Sequence, residues 1–129
     1  MIPSKEEFFN GLAAKHGAEL QKKFEAASVA VCGAGGLGSN IAIALARAGV
    51  GRLKIIDFDK IEITNLNRQQ YFADQIGLFK AVALKENLSK IAPYCEVTAE
   101  TVKITEENVT KLLKGFPIVC EAFDKAEAK

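Results

Sequence analysis

The spacing of apolar residues changes several times along this chain, and each change marks an element. Phe8, Leu12, Leu20 and Phe24 recur at helical intervals over residues 4–26, with His16-Gly17 interrupting the helix. Val29-Ala30-Val31-Cys32 is a continuous apolar run that predicts a buried strand. A helix follows over about Leu37 to Ala48, with Leu37, Ile41, Ala44, Leu45 and Ala48 as its inward stripe. Its first charge is Arg47, a cation in the last turn, and Gly49 and Gly51 supply the stop. Leu53-Lys54-Ile55-Ile56 reads as a second strand. A helix over about Leu78 to Ile91 turns Ala81, Leu84, Leu88 and Ile91 inward and closes at Pro93. Over residues 95–102, Val97, Ala99 and Thr101 alternate with Glu96, Thr98 and Glu100, as in a half-exposed strand. A short helix, about Glu106 to Lys114, leads through Gly115 to the apolar Ile118-Val119-Cys120.

Strands alternating with helices predict an α/β fold, Rossmann-like and doubly wound, around a mainly parallel sheet. The expected organisation is one nucleotide-binding domain over 1–129, with a helical lead-in at 1–26 and the Rossmann-like core at 27–129. After the fourth strand, Glu121 to Ala128 reads as a loop entering another helix, so the expectation is a C-terminally truncated fragment.

Charge and composition narrow the function classes. Seventeen basic and sixteen acidic residues leave a net charge of +1, which makes no electrostatic case for nucleic acid or an anionic membrane. The N-terminus, Met1-Ile2-Pro3-Ser4-Lys5-Glu6-Glu7, has no apolar signal core, and no stretch reaches membrane-spanning length, so the cytoplasm is the expected location. Cys32, Cys95 and Cys120 are far apart and form no C-x-x-C pair, which argues against a disulfide framework or a zinc site here. Cys32 and Cys120 end apolar runs and read as small buried hydrophobes. His16, the only histidine, reads as a capping or surface residue.

The chemistry begins where the first strand ends. Gly33-Ala34-Gly35-Gly36-Leu37-Gly38 fits the fingerprint G-x-G-x-x-G between a strand and a helix, and Asp57 follows 19 residues after Gly38. In that setting the glycines let the backbone approach phosphates, and the acid reaches an adenosine ribose. The fingerprint alone favours a nicotinamide or flavin dinucleotide. The following stretch, Asp57-Phe58-Asp59 and then Thr64-Asn65-Leu66-Asn67-Arg68-Gln69, changes that balance. It sets carboxylates and a cation beside the phosphate turn, although a solvated polar loop has the same composition. Lys80 falls in the first turn of a helix, where a cation opposes the dipole unless an anion meets it. Asp124 lies just beyond the fourth strand, on the same edge of the sheet. Glycine turn, Arg68, Lys80 and Asp124 suit attack on an α-phosphate, where charge grows on phosphate oxygens and on leaving pyrophosphate. Hydride transfer needs no such cluster.

Gly-Ala-Gly-Gly-Leu-Gly-Ser at 33–39, Asp-Phe-Asp at 57–59, Thr-Asn-Leu-Asn-Arg-Gln at 64–69, Gly-Leu-Phe-Lys at 77–80 and Asp124 together resemble the ubiquitin-activating-enzyme-like superfamily, in its ThiF and MoeB branch and nearest to ThiF. The resemblance covers about residues 27–125. It implies an ATP-dependent adenylyltransferase acting on the C-terminal glycine carboxylate of a small ubiquitin-like sulfur carrier ending in Gly-Gly, a ThiS-like protein of thiamine biosynthesis. The same resemblance implies ATP contacts by Gly33, Gly35, Gly36 and Gly38, with Asp57 on the ribose and Asp59 beside it. It further implies phosphate contacts by Asn65, Arg68 and Lys80, a supporting role for Gln69, and Mg²⁺ held by Asp124. A homodimer is implied as well.

Three departures from the family pattern stand out. The N-terminal arginine motif that reaches across the dimer in many members is missing, leaving Lys15, Lys22 and Lys23. The downstream zinc-binding C-x-x-C pairs and the downstream reactive cysteine are also absent from this chain. The rival readings are an NAD(P)-dependent oxidoreductase, adenylylation of another carboxylate such as a modified tRNA nucleoside, and a non-catalytic interaction module.

Overall fold

The computed structural model describes residues 1–123; residues 124–129, and with them Asp124, lie outside the described part. Two helices open the chain, α1 (Lys5–His16) and α2 (Ala18–Ala26). Ser4 starts α1 with a reciprocal cap: its hydroxyl accepts from the Glu7 N–H while the Glu7 carboxylate accepts from the Ser4 N–H. Gly17, with φ of 93°, makes the break between the helices, a conformation that costs a side-chain-bearing residue. His16 is part of this break, since its ring Nε2 meets the Gln21 side-chain oxygen and its edge packs on Phe24.

Four strands follow, interleaved with three helices: β1 (Ser28–Cys32), α3 (Gly36–Ala48), β2 (Arg52–Ile56), α4 (Lys80–Ile91), β3 (Glu96–Glu100), α5 (Val109–Leu113) and β4 (Ile118–Glu121). They form one sheet in the order β3-β2-β1-β4 with every pairing parallel. Two single-turn 3₁₀ helices, Ile63–Asn65 and Ala73–Gln75, shape the long connection between β2 and α4. No helix among the described residues is long and apolar enough to cross a membrane.

The central strands β1 and β2 are buried because both of their faces are covered. On one face Val29, Val31, Leu53 and Ile55 pack with Ala42 and Ala46 of α3 and with Ala81, Leu84 and Leu88 of α4. On the other, Cys32 and Ile56 meet Leu112. Alternation along β2 sends Arg52 and Lys54 to this second face, where an apolar run would have been expected. Lys54 is buried and donates to the Leu112 carbonyl at 2.7 Å, so its ammonium answers the C-terminal dipole of α5. Both cations also lie over the Phe116 ring, with the Arg52 guanidinium 4.5 Å from its centre.

Two details of the sequence pattern are corrected. The inward face of α3 is Gly38, Ser39, Ala42 and Ala46, not the stripe of larger residues; Leu37 is 59% exposed and Ala44 is also exposed. Small side chains let the helix settle close to the sheet, with Ile41 and Leu45 of the expected stripe packed half-buried beside them and Leu37 left outside. Leu20 is likewise exposed, at 41%. Other lead-in residues do pack on their own chain. Phe8 lies against the core and 5.9 Å from the Tyr94 ring, and the Tyr94 hydroxyl donates to the Pro3 carbonyl. The Gly51 N–H donates to the Phe24 carbonyl at 3.0 Å, and a Cβ at Gly51 would stand 1.9 Å from the Glu25 carbonyl oxygen. That close approach fixes α2 against the turn between α3 and β2.

Candidate functional site

Parallel pairing in register brings the carboxyl ends of β1, β2 and β4 together, and three backbone hydrogen bonds continue the ladder beyond them. The Gly33 N–H donates to the Ile56 carbonyl, the Asp57 N–H to Glu100, and the Ala122 N–H to Cys32. The glycine turn therefore starts between β2 and β4, at the point where strand order reverses. In open α/β sheets, this is where ligands sit.

Two of the glycines serve the turn's own packing. Gly33 has φ of 105°, and a Cβ there would stand 2.7 Å from the Ala122 carbonyl oxygen; one at Gly38 would stand 1.8 Å from the Gly33 carbonyl oxygen. Their absent side chains let strand, turn and helix close on one another. Gly35 is the N-cap of α3 and Gly36 its first residue; no side chain caps this end and no acid lies in its first turn. Its leading N–H groups and the positive end of its dipole are therefore available to a phosphate. The carbon stem of Arg68 lies across Gly36, 3.6 Å from the place of a Cβ.

Asp57 ties the turn to β2. Its Oδ2 accepts from the Ala34 N–H at 2.8 Å, and its Oδ1 accepts from the Asp59 N–H at 2.7 Å. Burial raises its pKa above that of an ordinary aspartate, against the lowering effect of those two N–H groups and of the Lys80 charge. Asp59 itself is exposed, and its carbonyl accepts from the Lys80 N–H, which starts α4. Lys80 is 7% exposed, a buried cation whose charge acts on Asp57.

The β2–α4 connection brings Arg68 to the glycine turn and leaves Asn65 in a local role. Asn65 Oδ1 accepts from the Glu62 N–H at 2.8 Å, and its carbonyl accepts from the N–H groups of Arg68 and Gln69. The exposed Arg68 guanidinium donates to the Thr64 carbonyl and to Asn67 Oδ1. Gln69 is buried, and its Oε1 has no hydrogen-bond partner.

Several polar contacts of this region escaped the sequence reading. Tyr71 is buried and its hydroxyl, whose pKa burial raises, donates to the Ala34 carbonyl at 2.6 Å. It thereby joins the glycine turn to the long connection, and it lies 3.4 Å from the Lys80 carbonyl. Ser39 Oγ accepts from the Gln70 N–H, and Asn40 and Asn87 bond the same segment. Only their position beside the fingerprint could have flagged Ser39 and Asn40; nothing local marks Tyr71 or Asn87. Among the described residues no group of three or more His, Cys, Asp or Glu side chains could hold a metal ion. The Mg²⁺ role of Asp124 lies outside the described residues.

A parallel sheet in this order, with a glycine turn opening an uncapped helix at its carboxyl edge, defines a mononucleotide-binding domain of the Rossmann type. The ThiF family model matches residues 10–129, and the chain belongs to that family. It is 37% identical over 123 residues to the tRNA threonylcarbamoyladenosine dehydratase of Escherichia coli, covering 94% of this chain and 46% of that protein. The sulfur carrier protein adenylyltransferase of Thermus thermophilus is 38% identical over 109 residues, or 84% of this chain and 40% of the relative. Among solved structures, the E. coli dehydratase in complex with ATP superposes with a TM-score of 0.87 at 36% identity, covering 97% of this chain and 53% of that one. The chain thus spans about half the length of these relatives.

Proposed function

We propose that the protein carrying this domain is an ATP-dependent adenylyltransferase that activates a carboxylate. The observation that carries the reading is one juxtaposition: Arg68 across Gly36 at the uncapped start of α3, with Asp57 and Lys80 beside the same turn. The described residues suit ATP. The start of α3 and Arg68 would hold phosphates, Lys80 would add a second cation, and Asp57 would hold the ribose. The acceptor carboxylate oxygen bonds to the α-phosphorus while the bond to the bridging oxygen breaks, and pyrophosphate leaves with that electron pair. Arg68 and Lys80 are placed to stabilise the charge that grows on the phosphate oxygens and the leaving group. An oxidoreductase reading would leave both cations without a task. Mg²⁺ belongs to the proposal through Asp124.

For the acceptor, the first reading is the C-terminal glycine carboxylate of a ubiquitin-like sulfur carrier, in the finer form a ThiS-like carrier of thiamine biosynthesis. The likeness to a sulfur carrier protein adenylyltransferase supports it. A second reading is a carboxylate on a modified tRNA nucleoside. Likeness to the tRNA threonylcarbamoyladenosine dehydratase supports this one, and it covers 94% of the chain against 84% for the carrier enzyme. A homodimer, resting on the resemblance in sequence, and a cytoplasmic location, resting on the sequence reading of composition and apolar stretches, complete the proposal.

Pyrophosphate exchange into ATP by the full-length protein decides between them. Exchange dependent on a Gly-Gly-ended carrier supports the first reading, and exchange dependent on threonylcarbamoyladenosine-bearing tRNA supports the second. Exchange with neither, together with preference for NAD⁺ over ATP in titration, would overturn adenylylation altogether.

A further inference from the structure

The backbone that presents Arg68 is held from two helices by a set of side-chain amides, two of them buried. On α3, Asn40 Nδ2 donates to the Gly36 carbonyl at 2.6 Å and to the Arg68 carbonyl at 3.2 Å, while its Oδ1 accepts from Gln70 Nε2 at 2.7 Å. On α4, Asn87 Nδ2 donates to the Gln70 carbonyl at 3.0 Å. Asn87 and Gln75 also pair amide to amide, at 2.6 and 3.0 Å, and Gln75 Oε1 accepts from the Phe72 N–H. With Ser39 Oγ on its N–H, Gln70 has its N–H, its carbonyl and its side chain engaged at once.

Asn87 is 3% exposed and stands next to Leu88 on the apolar side of α4. Burying two amides there sacrifices apolar packing that a leucine would supply, and each amide must be matched to avoid a penalty. What the arrangement gains is a fixed Arg68–Gln70 backbone. The Arg68 guanidinium bonds within its own loop, to Thr64 and Asn67, so its place over Gly36 depends on where its backbone is held.

We propose that Asn40 and Asn87 are positioning residues for Arg68, clamping its segment between the start of α3 and the middle of α4. This rests on the reading that Arg68 serves the phosphates. Because α4 also begins with Lys80, the same clamp sets the spacing between the two cations. Neither asparagine touches the nucleotide in this proposal; each acts through the main chain of residues 68–70.

The test uses the full-length protein. Asn40→Asp keeps the acceptor for Gln70 and turns the two donated contacts, to the Gly36 and Arg68 carbonyls, repulsive at an exposed position. Asn87→Asp removes the donor to Gln70 inside the fold. Each is expected to lower kcat for pyrophosphate exchange by up to about 100-fold with little change in the KM for ATP, the cost of a displaced group. Combined with Arg68→Ala, neither adds a further loss, since nothing remains to be positioned. Faster hydrogen exchange at the Gln70 amide, in both variants and without nucleotide, is the companion readout. Protection that stays as in wild type overturns the clamp whatever the enzyme does. Losses that multiply in the double variants make the asparagines structural only and also overturn it. Wild-type exchange activity in Arg68→Ala would instead overturn the phosphate role of Arg68, and this proposal falls with it.

Discussion

At the residue scale, the two cations differ in their surroundings, and their variants should differ accordingly. Arg68→Ala and Lys80→Ala should each slow adenylylation by roughly 10²–10³, the range for losing one preorganised donor. Arg68 is exposed, so its loss should leave the melting temperature unchanged. Lys80 is buried, so removing its aliphatic stem should also cost about 1–3 kcal/mol of stability. Paired thermal melts and exchange rates separate the two effects. Asp57 carries a sign of its own. With its pKa raised by burial, the folded state takes up this proton at a higher pH than the unfolded chain does. Its ionised form therefore weakens the fold at neutral pH, and that penalty is relieved as pH falls through the raised pKa. If the carboxylate holds the ribose, ATP affinity falls over the same interval, and titrations carried downward from neutral pH should show a decline that Asp57→Asn abolishes. Cys32 and Cys95 have pKa values pushed up to about 11 by burial, so both should resist alkylation in the native protein near neutral pH.

At the scale of elements, the glycine turn leaves no latitude. Gly38→Ala puts a methyl group against the Gly33 carbonyl oxygen, so either the start of α3 or the end of β1 must move. The variant should be destabilised and lose ATP binding together, measured by melting and by titration, whereas Gly11→Ala, with open space around it, should leave both as they were. The parallel order of elements was legible because it lies in local pattern: four apolar or alternating strand runs, each separated by a helical stripe or a glycine stop. The facing of α3 was not legible. Hydrophobicity alone points to Leu37, which is exposed, as well as to Ile41 and Leu45, which do pack on the core, whereas closeness to the sheet selects Gly38, Ala42 and Ala46. For the site, the glycines, Asp57, Arg68 and Lys80 were legible as residue types in order. The burial of Lys80, the Tyr71 bridge to Ala34 and the Asn87–Gln75 pair were not. They arise from contacts between segments whose separation in sequence carries no signal.

At the scale of the whole molecule, β4 is one of the two edge strands of the sheet among the described residues. Ile118 and Val119 are 50% and 44% exposed, and among the described residues β4 pairs only with β1. An open, apolar edge of this kind invites pairing with another chain. The 129-residue piece should therefore self-associate in sedimentation at micromolar concentration, and Val119→Lys should shift it toward monomer. In the lead-in, Phe8 is used against the core and Tyr94. The anchoring of that lead-in also decides how the molecule can be handled. Pro3 is fastened to Tyr94, which precedes β3 at the amino edge of the sheet, while Met1 and Ile2 stand free in solvent. The glycine turn opens on the carboxyl edge, roughly 16 Å away along strands of five residues. A tether attached at Met1 would thus hold the domain by its far side, with the glycine turn at the opposite end. Surface-immobilised binding measurements should return the same ATP affinity as measurements on the free protein.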